Sequence, residues 1–188
     1  MVTPKKIIVV SAINIHEGGM LKILDDCLAN LAQLNKNYRI IAIVHKKEFV
    51  TAKGVFPVEI NDSRGAWHKR LYYEYVYFNK LSKRIKPYLW LSLHDITPTV
   101  KADVRAVYCH NPSSFYTVNF SQIRLDPRFL VYNLFYNFLY KKNIKNNDFV
   151  IVQQDWIRDT FNTLFKVSKS KIIVASPDST SKSLSDVI

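Results

Sequence analysis

The chain has 188 residues, 48% of them hydrophobic, which is enough apolar mass for one large core and excludes disorder over most of its length. Its two cysteines, Cys27 and Cys109, exclude a disulfide framework and a four-cysteine zinc site, so the expected compartment is cytoplasmic. Lys and Arg number 27 against 15 Asp and Glu, a formal charge of +12 that suits an anionic partner such as nucleic acid, nucleotide phosphate or acidic lipid.

Ile7-Ile8-Val9-Val10 is a β-branched run without alternation, the pattern of a strand buried on both faces of a parallel sheet. Asn14, His16 and Glu17 follow it where an export signal would need small residues. Gly18-Gly19 breaks the chain, and residues 20–34 carry apolar side chains at helical spacing. Residues 38–44 predict a second strand, and residues 55–60, with Pro57 inside, predict a third at a sheet edge. Over residues 66–86, Trp67, Leu71, Tyr75, Phe78, Leu81 and Ile85 recur three and four apart. That spacing predicts a long amphipathic helix with Arg70, Glu74 and the other charged residues on its remaining faces. Pro87 ends it. Strands are predicted at 88–93, 105–109, 149–152 and 171–175, and helices at 129–142 and 155–166. No segment reaches the roughly 18 apolar residues of a membrane span, because Asn133 and Asn137 interrupt the best candidate. The domain is therefore placed at 1–175, with the Ser-rich stretch 176–188 as a linker or tail.

Alternating strands and helices predict an α/β fold, a Rossmann-like, mostly parallel sheet with helices on both faces. Ligands of such sheets bind beyond the carboxyl ends of the strands. Those ends carry Asn14, His16, Gly18 and Gly19, then His45, then His94 and Asp95, then His110 and Asn111. Four of the five histidines fall there. Gly18-Gly19 between strand and helix either leaves backbone N–H groups open to a phosphate or forms only a tight turn. The dinucleotide fingerprint and the P-loop are both missing, so neither an NAD enzyme nor a P-loop ATPase is supported. Cys109 and His110 are neighbours on a strand and point to opposite faces, which excludes a thiol dyad and puts Cys109 in the core and His110 at the cleft, where it either faces a ligand or only hydrogen-bonds a loop. His94-Asp95 suits either hydroxyl binding and base chemistry or an aspartate that caps a turn. The histidines have no H-x-x-x-H spacing and no accompanying carboxylate cluster, so no metal is expected. Lysine mixed with tyrosine and phenylalanine in residues 64–86 and 129–145 suits a bilayer interface as well as it suits a solvated helix face. Nucleic acid is the weakest partner, because none of the usual modules is present.

The buried strand ending in Gly18-Gly19, then Val107-Tyr108-Cys109-His110-Asn111-Pro112, then Val150-Ile151-Val152-Gln153 with Trp156 beyond, resembles the N-terminal half of the retaining GT-B-fold glycosyltransferases of family 4. The nearest likeness is to bacterial enzymes of surface and capsular polysaccharide synthesis. The resemblance implies the acceptor-binding half of an enzyme that moves a sugar from a nucleotide-sugar donor to a saccharide or lipid-linked saccharide. The donor-binding half would be a C-terminal Rossmann-like domain, without which this chain should be nearly inactive. Gly18 and Gly19 match the family's glycine-rich loop at the donor diphosphate. Lys22 is the nearest match to a basic residue after it. His110 matches the histidine beside the transferred sugar, as catalytic residue. Asn14, His16, His94, Asp95 and Asn111 are placed on the acceptor side by their strand-end positions alone. The resemblance implies no cofactor and no metal, the nucleotide-sugar being a substrate. Lipid-linked acceptors imply a protein peripheral to the inner face of the cytoplasmic membrane, held on anionic lipid. The rival readings are a saccharide- or nucleic-acid-binding Rossmann-like module without chemistry, and part of a nucleotide-sugar epimerase of the same GT-B fold.

Overall fold

A computed structural model describes residues 4–63, 66–110 and 127–176. Seven strands form one sheet: β1 (Lys6–Ala12), β2 (Tyr38–Val44), β3 (Val55–Glu59), β4 (Leu89–Ser92), β5 (Val104–Cys109), β6 (Phe149–Val152) and β7 (Ile172–Val174). Their order is β3-β2-β1-β4-β5-β6-β7, and every neighbouring pair is parallel. The helices are α1 (Gly19–Ala32), α2 (Trp67–Tyr72), α3 (Phe78–Ile85), α4 (Pro127–Lys141) and α5 (Asp155–Phe165), with a π-helical stretch, Tyr73–Tyr77, joining α2 to α3. This is the Rossmann-like α/β fold that the alternation predicts.

The unalternating run in β1 is explained by its neighbours. Ile8, Val10 and Ala12 pack with Leu24 and Leu28 of α1 on one face, while Val9 and Ile13 pack with Phe78 of α3 and Trp90 of β4 on the other. A strand paired on both edges and covered on both faces has no side chain to offer water, so β-branched residues are favoured at every position. A third core lies under α4 and α5, where Tyr136, Tyr140, Phe161 and Phe165 cover Val107, Cys109, Val150 and Val152. Pro57 sits in β3 at the sheet edge, where its missing N–H removes no ladder bond that the sheet's interior needs.

One expectation is corrected. In the helix of residues 66–86, Arg70 and Glu74 are not on outer faces: they are 5% and 0% exposed, whereas Trp67 is 39% exposed. The buried positions are Arg70, Glu74, Phe78 and Ser82, spaced four apart through the π stretch. A π turn closes i→i+5 bonds and admits an extra residue, so it rotates the inward face relative to the apolar stripe that a regular helix would bury. The sequence positions Arg64, Asn111, Pro112 and 177–188 lie outside the described residues.

Sheet order reverses between β1 and β4. From β1 the chain adds β2 and β3 on one side, then returns to place β4 to β7 on the other. Loops leaving β1 and β4 therefore diverge to opposite sides and open a crevice at the carboxyl end of the sheet.

Candidate functional site

A pocket of about 180 Å³ occupies that crevice, lined by Asn14, Ile15, His16, Glu17, Met20, His94, Asp95, His110 and Tyr136. Five of the sequence-predicted site residues, Asn14, His16, His94, Asp95 and His110, therefore meet in one place. They come from three strand ends, after β1, β4 and β5. Glu17 and Met20, the residues on either side of Gly18-Gly19, line the same pocket as His110, so the glycine tip and the histidine tip converge.

Gly18 has φ +65° and ψ −154°, a conformation that an L side chain rarely adopts, and it stands at the N-cap of α1. It makes no side-chain cap, and no acidic residue occupies the first turn. The Leu21 N–H donates to the Gly18 carbonyl at 3.1 Å. A Cβ placed at Gly18 or Gly19 would meet no atom within 4 Å, so the approach to this turn is open. The positive end of the helix dipole faces that space. Lys22 is not brought to the pocket wall. It lies on the exposed side of α1 in an i,i+4 ion pair with Asp26, which raises its affinity for its proton.

His110 and Asp95 form the chemical centre of the pocket. One Asp95 carboxylate oxygen accepts the His110 backbone N–H at 2.8 Å and stands 3.2 Å from Nδ1 of the same residue's ring. The ring contact is off the line of the N–H, so the backbone bond is the stronger of the two. Burial opposes ionisation of Asp95, but the His110 contacts, together with a hydrogen bond to Tyr140, outweigh it and hold the carboxyl below its ordinary value. An ionised carboxylate beside Nδ1 favours the tautomer with the proton there, and leaves Nε2 as the nitrogen available to a ligand. The ring is 26% exposed and stacks on Tyr108, with centroids 6.0 Å apart. Asp95 thus both caps the turn and orients the histidine. Its backbone has φ +66°, a left-handed conformation that costs a non-glycine residue energy.

The neighbours are as expected or simpler. Cys109 is buried, its thiol directed at the Asp95 carbonyl 3.8 Å away, and burial pushes its pKa well above the ordinary value, so it is no nucleophile. His16 contacts the Asn14 carbonyl through Nδ1 at 3.1 Å and Glu17 through Nε2 at 3.0 Å. His45 ends β2 away from the pocket, with Nδ1 3.4 Å from the Ile60 carbonyl. Ser11 accepts a bond from the Trp90 indole at 3.2 Å and Ser92 donates to the Ile96 carbonyl at 2.9 Å, so both serve the core. Among the described residues, no group of three or more His, Cys, Asp or Glu is placed to hold a metal ion.

Sequence reasoning missed what lies beneath. Glu74 Oε1 stands 3.2 Å from His94 Nε2, and the Arg70 guanidinium donates to the His94 carbonyl at 3.2 Å while lying 5.1 Å from the centroid of the Trp67 ring. Burial pushes the Glu74 carboxyl up to about 8 against the pull of Arg70. Burial, then Arg70, pushes His94 down to about 3. The signal available in the sequence was the four-residue spacing of Arg70, Glu74, Phe78 and Ser82, which competes with the apolar stripe. Tyr136, contributed by α4, lines the pocket too, and nothing in its local sequence sets it apart from the other aromatic residues of 129–145. A comparison of the chain with protein-family models finds no match, and a search of curated proteins finds none either.

Proposed function

We propose that this chain is the acceptor-binding half of a retaining GT-B glycosyltransferase, moving a sugar from a nucleotide-sugar to a saccharide or lipid-linked saccharide in surface polysaccharide synthesis. The observation that supports it best is the convergence of the glycine turn and the Asp95-oriented His110 on one crevice at the switch point of the sheet. In this reading the N–H groups at the start of α1 face the donor diphosphate. The His110 Nε2 hydrogen-bonds the transferred sugar beside the carbon that gains positive character, and Asn14 and His16 hold acceptor hydroxyls. No cofactor takes part.

Pocket size fits one half of a cleft. Ordinary ligand sites run to roughly 300–1,000 Å³, whereas this one is about 180 Å³, room for a sugar ring and not for a nucleotide-sugar. The remaining wall would come from a C-terminal Rossmann-like domain. Membrane attachment fits the exposed face of α4, where Leu134 and Phe138 are 62% and 60% exposed beside Lys141, Lys142 and Lys145. No helix among the described residues is long and apolar enough to cross a membrane, so attachment would be peripheral.

The test is transfer of label from a panel of radiolabelled nucleotide-sugars to a bacterial lipid extract by the full-length protein, wild type beside His110→Ala. The reading expects transfer that the substitution reduces by at least about a hundredfold. Unchanged turnover in His110→Ala removes the histidine from the mechanism. Donor isomerisation without transfer supports the epimerase, and saccharide binding without turnover supports the non-catalytic module.

A further inference from the structure

Among the described residues, the Arg70, Glu74 and His94 cluster holds five of the nine buried side-chain polar atoms that lack a well-formed hydrogen bond. Glu74 is wholly buried and neither of its oxygens has a well-formed hydrogen bond among the described residues; the same holds for Nε of Arg70 and both ring nitrogens of His94. Buried polar groups left in this state cost kilocalories that apolar residues of the same shape would not. Glu74 also sits in the π stretch, a local departure that turns it inward. Asp95, in its left-handed conformation, follows directly on His94. The expensive cluster and the strained residue are therefore joined by a single peptide unit.

We propose that Arg70 and Glu74 are positioning residues for His110, acting through the His94–Asp95 turn. The Arg70 guanidinium grips the His94 carbonyl, which belongs to the peptide entering Asp95, and Glu74 backs the His94 ring. With both ends of His94 held, the backbone of Asp95 stays left-handed and its carboxylate stays on the His110 N–H and Nδ1. Other bonds meet the same turn: the Ile96 N–H donates to the His94 carbonyl at 2.7 Å across Asp95, the Asp95 N–H donates to the Tyr108 carbonyl at 3.0 Å, the Cys109 thiol lies 3.8 Å from the Asp95 carbonyl, and Tyr140 reaches the carboxyl end; Arg70 adds a side-chain hold on the carbonyl that closes the turn. The charged and titratable groups around the turn include Arg70, Glu74 and Tyr75 from the helix, Asp95, Tyr108, Cys109 and His110 from the strands and their ends, and Tyr140 from α4. This inference deepens the role given to His110 above, and its test needs no turnover, so its failure and the failure of the glycosyltransferase reading are separate results.

The experiment is long-range ¹H–¹⁵N correlation of the histidine rings in the uniformly labelled full chain, with circular dichroism to establish folding. In the wild type, His110 should be a single tautomer protonated at Nδ1. Arg70→Met and Glu74→Leu should convert it to a mixture of tautomers, while Arg70→Lys and Glu74→Gln, which retain a donor at each place, should restore the single form. A role in stability alone would lower the melting temperature of Arg70→Met and Glu74→Leu without touching the His110 tautomer, and that result overturns the proposal. If those two variants do not fold, the wild type is titrated instead. Ionisation of Glu74 on passing about pH 8 should shift the His110 backbone amide, which Asp95 accepts, in a step missing from Glu74→Gln. No step in the wild type, or the same step in both proteins, overturns the proposal equally.

Discussion

Glu74 should give this protein a stability that falls as pH rises above neutrality. In the unfolded chain its carboxyl ionises near 4.5, and in the folded protein it keeps its proton until about 8. Between those values the folded state holds the extra proton, so stability declines with pH at about 1.4 kcal/mol per unit. His94 works in the opposite sense: unfolded it takes a proton below 6.5, folded it stays neutral down to about 3, so its contribution is lost as pH falls through that window. The two slopes cancel between 4.5 and 6.5, and above 6.5 only Glu74 acts. From 6.5 to 8 the wild type should therefore lose about 2 kcal/mol, or about 4–8 °C in melting temperature for a chain of this size. Glu74→Gln removes that slope and keeps the His94 slope. Urea unfolding of both proteins at half-unit steps from pH 4 to 9 measures the difference, in which all other titrations cancel. The variant should gain on the wild type steadily from pH 4.5 upward; parallel curves would mean that Glu74 is already ionised in the fold and would refute the burial argument.

Gly18→Ala should destabilise by about 1–3 kcal/mol, since φ +65° with ψ −154° is strained for any L side chain, while Gly19→Ala, which meets open space and has no positive φ, should stay within about 0.5 kcal/mol. Equal losses in denaturant unfolding would contradict the backbone reading of this turn. Asp95→Asn keeps a residue tolerant of the left-handed region but removes the charge beside Nδ1, so the sugar transfer proposed above should fall at least about tenfold with little change in melting temperature. Unaltered transfer would separate Asp95 from His110. Vesicles containing anionic lipid should sediment the protein at low salt and release it toward 1 M salt, and Phe138→Asp should weaken capture without loss of stability, because that ring is 60% exposed. Failure of the wild type to sediment would end the membrane proposal and leave the site untouched.

The strands were readable because each is a short apolar run with its own punctuation. β2 falls at residues 38–44 as predicted, β6 at 149–152, and β3 lies at an edge as Pro57 requires. Strand ends being readable, so were Asn14, His16, His94, Asp95 and His110, because a parallel sheet sends all its carboxyl ends to the same side. Which of those ends meet was not readable. His45 has the same local credentials as His94, yet β2 lies on the far side of β1 from β4 and β5, so His45 stays outside the pocket.

Local pattern therefore determined the element types, the parallel sheet and the list of candidate tips, since those follow from side-chain period and chain breaks a few residues long. Tertiary structure alone decided strand order, the meeting of the glycine turn with His110, and the burial of Arg70 and Glu74. The physical reason is that a helix's inward face is chosen by what it packs against. Here a π turn rotates that face by a residue and brings an arginine and a carboxyl group under His94, a neighbour some twenty residues further along the chain that no periodicity within the helix can register.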